Sequence, residues 1–132
     1  MSWKVNDREF RSVLGLSSDK RYLYFVKHVA DWGKLWSLTN LDGWVLYGMQ
    51  DGTELIPVWP HVLFAQACVI NEWSDCKPQV IDLNEWLDAW TQGMTKDQRM
   101  VCVFPTPEMQ STVVTPQHLE ADLKNEMLLM KD

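Results

Sequence analysis

Apolar positions follow a helical repeat at both ends of the chain and a strand repeat through much of the middle. Tyr22, Phe25, Val26 and Val29 fall at i, i+3, i+4 and i+7, the stripe of an amphipathic helix. Ser17 or Ser18 opens that helix, and Gly33, just after Trp32, ends it. A shorter helix precedes it, capped by Asn6 or Asp7, carrying Phe10, Val13 and Leu14 and broken near Gly15. Leu83, Trp86, Leu87 and Trp90 repeat the stripe behind Asp82, which stands three residues before Glu85 as in a capping box. Gly93 is the expected end of this helix. Thr115-Pro116 supplies an N-cap and an N1 proline for a last helix, with Leu119, Leu123, Met127 and Met130 inward. Glu120 and Lys124 form a favourable i, i+4 pair on its outer side.

Residues 35–39 and 44–48 are rich in strand formers, and Asp42-Gly43 between them predicts a hairpin. A second Asp-Gly, at residues 51 and 52, turns the chain into a strand over 55–58. Pro57 there has no N–H for a ladder, which predicts an edge strand or a bulge. Pro60 suits the first turn of a helix, and 61–71 reads as a helix apolar on every side. Val80-Ile81 is a brief extended step, 100–104 a central strand and 111–114 another strand. The order ααβββαβαββα predicts an α+β single domain over 1–132, a mainly antiparallel sheet of about 4–6 strands with helices packed on it. Its N-terminal helices occupy about 6–32, sheet and helices 33–114, and the C-terminal helix about 116–130.

Charge narrows the function classes. Eighteen acidic residues against twelve basic ones give a net charge of −6, with no Lys/Arg run longer than two. The cationic surface that phosphate binding requires is missing, so no nucleic acid is expected as a partner. No window approaches about 18 consecutive apolar residues, so no membrane span is expected. The first residues hold no apolar run of signal-peptide length, and a cytoplasmic location is the expectation. Cys68, Cys76 and Cys102 form an odd set without CxxC spacing and read as small buried hydrophobes.

Catalytic signatures are sparse. Neither GxxxxGK[ST] nor GxGxxG occurs, so no cofactor is expected. His61, Cys68 and Cys76 are the best zinc set available, and their spacings match no ligand pattern, so no metal site is expected. Cys68 lies two helical turns after His61, roughly 10 Å away, whereas proton transfer needs about 3 Å. No catalytic residue is assigned, and the chain leans away from being an enzyme. His28 reads as a solvated helix residue. Of the eight tryptophans, Trp36, Trp86 and Trp90 lie on periodic stripes and belong to the core. Trp3, Trp59 and Trp73 stand at element ends or loops, where a large aromatic packing the loop down is the plainer reading and a groove or interface the sharper one. The leading reading is a non-enzymatic accessory domain that binds another protein, with Trp59, His61, Trp73, Phe104 and Thr106 as binding residues. The alternative is a small-molecule binder or enzyme with a pocket near the Trp59–His61 joint. A homodimer is a further expectation, because the apolar 61–71 helix and the Met-rich C-terminus need covering.

Several motifs carry a family likeness: Arg21-Tyr22 with Phe25-Val26, Trp36-Ser37-Leu38, Asp42-Gly43-Trp44, Pro57-Val58-Trp59-Pro60-His61, Ile81-Asp82-Leu83, Trp86-Leu87 and Val103-Phe104-Pro105-Thr106-Pro107. In these the chain resembles small bacterial proteins catalogued as a domain of unknown function, the 2750 family. The resemblance covers nearly the whole chain and implies a single-domain unit. It implies no activity. A looser likeness, at the level of a strand passing into a helix, extends to the enhanced-serine-sensitivity B type domain and to toxin-immunity proteins.

Overall fold

The computed structural model describes residues 3–130. Helix α1 (Asp7–Leu14) is capped by Asn6, whose side chain accepts the Glu9 N–H at 2.8 Å. Helix α2 (Ser18–Trp32) is capped by Ser17 and buries Phe25, Val26 and Val29, the stripe the spacing predicts. Gly33 closes α2 in the left-handed conformation at φ +73°, donating its N–H to the Val29 carbonyl at 2.9 Å. Nothing lies within 4 Å of where a Cβ on Gly33 would sit. Gly33→Ala therefore meets only backbone strain, and an expected loss of about 1–2 kcal/mol should lower the urea midpoint. An unchanged midpoint would show that the cap does not depend on this conformation.

Strand β1 (Lys34–Asn40) pairs antiparallel with β2 (Gly43–Trp44) through the Asp42-Gly43 turn. It also pairs along six residues with β5 (Lys77–Asp82). The strand predicted over 44–48 is divided between two sheets. Trp44 stays with β1, while β3 (Tyr47–Gly48) joins β4 (Glu54–Val58). The sheets are β2-β1-β5 and β3-β4-β6-β7, the second completed by β6 (Met100–Val103) and β7 (Thr112–Val114). Every pairing is antiparallel except β4 with β6. Trp36 and Trp59 exchange backbone N–H···O bonds of 2.8 Å each and tie one sheet to the other.

This tie corrects the reading of Pro57. Strand β4 is interior, between β3 and β6, not an edge. Residues 55, 57 and 59 turn their backbone groups to one side, where β3 reaches only Leu55 and the Trp36 bridge takes Trp59. Pro57 fills the gap between them, where no N–H is needed. Its carbonyl accepts the buried Ser37 hydroxyl at 2.6 Å.

Three helical boundaries also differ from expectation. The helix predicted over 61–71 is only α3 (Val62–Ala67), with His61 as its N-cap rather than inside it. Cys68 ends α3, and Asn71 at φ +53° starts a short 3-10 turn that brings Trp73 back to the core. Helix α3 is not buried all round: Phe64 and Ala65 are buried while Leu63 is exposed. Behind Asp82, which accepts from the Asn84 and Glu85 N–H groups, the helical run passes through Gly93 instead of ending there. It comprises α4 (Leu83–Glu85), a π-helical stretch (Trp86–Trp90) and α5 (Thr91–Lys96). The stop is supplied by Gln98 at φ +58°, with Arg99 N–H reaching the Met94 carbonyl at 2.9 Å, a Schellman closure without glycine. In α6 (Pro116–Leu129), Leu119 and Leu123 are buried, but Met130 just past its end is exposed.

One hydrophobic cluster runs from Val13 on α1 to Leu123 on α6 and includes Ile56, Val58, Val101 and Val103. That face of the four-stranded sheet is covered, with α2 against β7 and α6 against β6. Leu55 and Cys102 lie on the opposite face, outside that cluster. Both are nonetheless buried, at 2% and 3% exposure.

Candidate functional site

The strand-helix joint at residues 58–61 separates two clefts. On one side lies a cleft of about 190 Å³ lined by Tyr47, Cys68, Ile70, Trp73, Pro107 and Met109, with Asn71 and Glu72 at its end. On the other lies a cleft of about 170 Å³ between Trp3, Trp32, Trp36 and His61, with Lys34 at its margin.

Trp59 is the partition. It is fully buried, and its indole Nε1–H donates to the Pro105 carbonyl at 2.9 Å. Trp73 packs edge-on against it at 6.0 Å, and Tyr47 edge-on against Trp73 at 5.9 Å. These arrangements set the positive ring edge on the neighbour's negative face, worth about 0.5–1.5 kcal/mol each beyond area burial. Thr106, also buried, closes the loop that forms the cleft wall. Its N–H donates to the Gln110 carbonyl at 3.0 Å, and its hydroxyl accepts the Gln110 N–H at 3.2 Å. Within that loop Met109 sits at φ +63°, held by its N–H to the Thr106 carbonyl at 2.7 Å.

The five residues singled out from the sequence therefore divide. Trp59, Trp73 and Thr106 surround Pro105 and the first cleft, though Trp73 alone of them lines it. Phe104, at φ +56°, turns its ring the other way, against Phe64 at 4.8 Å. His61 faces the second cleft: its Nδ1 accepts the Leu63 N–H, which leaves the proton on Nε2 to donate to the Trp3 carbonyl at 3.1 Å.

Arg21 was not singled out for a role. It is buried in the α2 stripe, and its guanidinium donates to the Leu16 carbonyl, to the Ser18 hydroxyl at 3.0 Å and to the Gln110 carbonyl at 3.2 Å. Phe104 lies under it at 6.0 Å. Burial lowers its pKa, opposed by the charge of Glu108. Arg21 is the fastener between the α1–α2 turn and the loop that forms the cleft wall. The available signal was its place four residues before Phe25, a charge on a buried face.

Thiol chemistry does not suit this cleft. Burial pushes the Cys68 thiol up to about 12, and its Sγ–H donates to the Pro105 carbonyl at 3.2 Å. Burial raises Cys102 as well, though its contact with Ser111 acts in the opposite direction. A thiol that stays protonated is a poor nucleophile and metal ligand. Among the described residues no group of three or more His, Cys, Asp or Glu side chains is placed to hold a metal ion. Among them no helix is long and apolar enough to cross a membrane.

His28 is not the solvated residue its spacing suggests. Trp3 stacks on it at 4.3 Å with planes 7° apart, Tyr24 lies at 4.2 Å, and its buried Nδ1 has no hydrogen-bond partner among the described residues. Burial lowers its pKa below the ordinary histidine value, Glu9 and Asp31 acting in the opposite sense and Lys27 in the same sense. The protonated form is thus disfavoured in the folded state. Stability should be level above pH about 6.5, the unfolded value, and fall as pH drops through that point toward the lowered folded value. Urea midpoints measured between pH about 7 and about 5.5 should show the fall in the parent and lose most of it in His28→Gln. An equal fall in both proteins would assign it to other groups.

A search of curated proteins returned no match. The family described as Protein of unknown function (DUF2750) matches residues 22–123, from the second turn of α2 to the buried Leu123 of α6. That span contains both sheets and all of the first cleft. The chain belongs to this family of proteins of unknown function.

Proposed function

We propose that the protein is a non-enzymatic, cytosolic accessory domain that binds another protein, and that the Tyr47–Trp73–Met109 cleft takes a side chain of that partner. One observation carries this reading: of the four non-glycine residues with positive φ among the described residues, Asn71 and Met109 line this cleft and Phe104 directly precedes the Pro105 carbonyl behind it. Such conformations cost about 1–3 kcal/mol each and tend to collect where a binding surface is held in shape. The volume of the cleft, about 190 Å³, lies below the roughly 300–1,000 Å³ of most small-molecule pockets and suits a single inserted side chain.

Photo-crosslinking tests it. A benzoylphenylalanine at Met109 should give a discrete adduct in extract of the native cell, and one at exposed Leu129 on α6 should not give that adduct. No adduct from Met109, or the same adduct from both positions, would contradict the reading. The second expectation, a homodimer, draws support from the exposed Leu128, Leu129 and Met130 near the end of α6, and an adduct of twice the chain mass from Leu129 would favour it.

A further inference from the structure

The cleft does not end at Tyr47 and Met109. A second, shallower depression of about 500 Å³ shares both residues and continues toward the Leu55–Cys102 face of the four-stranded sheet. At its floor lie Leu55 and Cys102, from β4 and β6, which are themselves buried, so the accessible surface is supplied by the walls. One wall is the 47–51 segment, and the other is formed by Met109, Ser111 and Val113. The two depressions together make one trough, with Trp73 at its deep end and Asp51 at its shallow end. Its rim is apolar and adaptable: Met49 is 43% exposed, Met109 40% and Val113 37%. Methionines of this kind let a surface fit partners of varied shape.

Charge selects among the occupants. The ionisable carboxyl groups lining the trough are Glu72 at the deep end and Asp51 at the shallow end, and no Lys, Arg or His lines either depression. The Thr53 N–H donates to the Asp51 carboxylate at 2.9 Å and lowers its pKa. The whole chain carries −6, so a second copy would bring acid to acid, while a cationic segment is drawn in and oriented. A depression bounded by the 47–51 segment on one side and by Met109, Ser111 and Val113 on the other suits an extended chain.

We infer that the trough binds an extended segment of a partner protein in which one aliphatic or aromatic side chain, seated against Trp73 and Tyr47, is flanked on both sides by Lys or Arg residues that meet Glu72 and Asp51. This rests on the proposed role of the cleft and adds the chemistry of the partner.

Three fluorescein-labelled synthetic peptides test it by fluorescence polarisation on the full chain, each with a central Leu and with Lys, Ser or Glu on both flanks. At low salt the Lys-flanked peptide should bind about tenfold tighter than the Ser-flanked one, with the Glu-flanked peptide weakest, and the gap should narrow at physiological salt. The Asp51→Asn/Glu72→Gln variant should lose the preference and keep its affinity for the Ser-flanked peptide. If all three bind alike and Met109→Asp blocks them, the basic-flank inference falls and the cleft reading stands. If the preference survives in the double variant, the flanks are read elsewhere and the inference falls. If none of the three binds, both fall.

Discussion

Trp59→Ala is expected to lower stability by about 3–5 kcal/mol, the usual cost of removing a fully buried tryptophan. The indole packs on Trp73 and donates to the Pro105 carbonyl, and its loss opens a cavity where Trp73 and the 105–110 loop meet. It also removes the N–H donor to the Pro105 carbonyl, leaving that oxygen with the weaker Cys68 thiol. Trp59→Phe separates the two contributions: it keeps most of the volume and loses the donor, and should cost about 1–3 kcal/mol. Urea denaturation at constant slope is the measurement. An alanine variant within about 0.5 kcal/mol of the parent, the ordinary range of surface substitutions, would mean that this ring does not hold Trp73 and the 105–110 loop to the core. The Trp36–Trp59 backbone bridge involves no side-chain atoms, so either variant can retain it.

Arg21→Met is the second large effect, with an expected cost of about 2–4 kcal/mol. Three acceptors lose a charged donor, two of them backbone carbonyls, and hydrogen bonds to charged groups are worth about 1.5–3 kcal/mol each. Relief of the buried charge offsets part of this. The informative comparison is Arg21→Lys. A lysine keeps the charge but cannot reach, with one ammonium, three acceptors arrayed around a planar fork. It should therefore be no better than methionine. Hydrogen exchange should also rise at the 106–110 amides in both variants, because the Gln110 carbonyl loses its tie to α2. A lysine variant as stable as the parent would show that charge, not fork geometry, secures this loop.

Much of the architecture was legible before the structure. The α2 stripe, the caps at Asp82 and Thr115 and the Gly33 closure rest on local spacing or turn chemistry, and each is present; of the open choices Asn6 and Ser17 are the caps, and the strand expected over 100–104 is interior but ends at Val103. What escaped was decided at a distance. Nothing in 44–48 reveals that Trp44 and Tyr47 belong to different sheets, because partner choice is not encoded in alternation. Pro57 looked like an edge residue because a missing N–H is a local fact, whereas the gap between β3 and Trp36 is a tertiary one. The same limit applies to Gly93, which α5 tolerates, and to Gln98, which ends the helix without a glycine.

For the site, the joint at 58–61 was a sound place to look and its two sides were not separable. Tryptophan at a strand end followed by proline marks a fixed aromatic, and Trp59 is fixed by complete burial. Which way Trp59, His61 and Trp73 point depends on the bridge to Trp36 and on the turn at Asn71, and neither is visible in the residues themselves. Met49 and Met109, which supply most of the trough's adaptable rim, carried no periodic signal because both lie in loops.

The measurement that bears most directly on the trough is amide chemical-shift mapping of the isotopically labelled protein with the Lys-flanked peptide. The expected result is a continuous set of perturbed amides at 47–51, 70–73, 102 and 108–113, with those of residues 32–36, 61 and 62 around the second cleft unmoved. Perturbations centred instead on Trp36, His61 and Val62 would contradict the assignment and place the binding surface on the other side of Trp59.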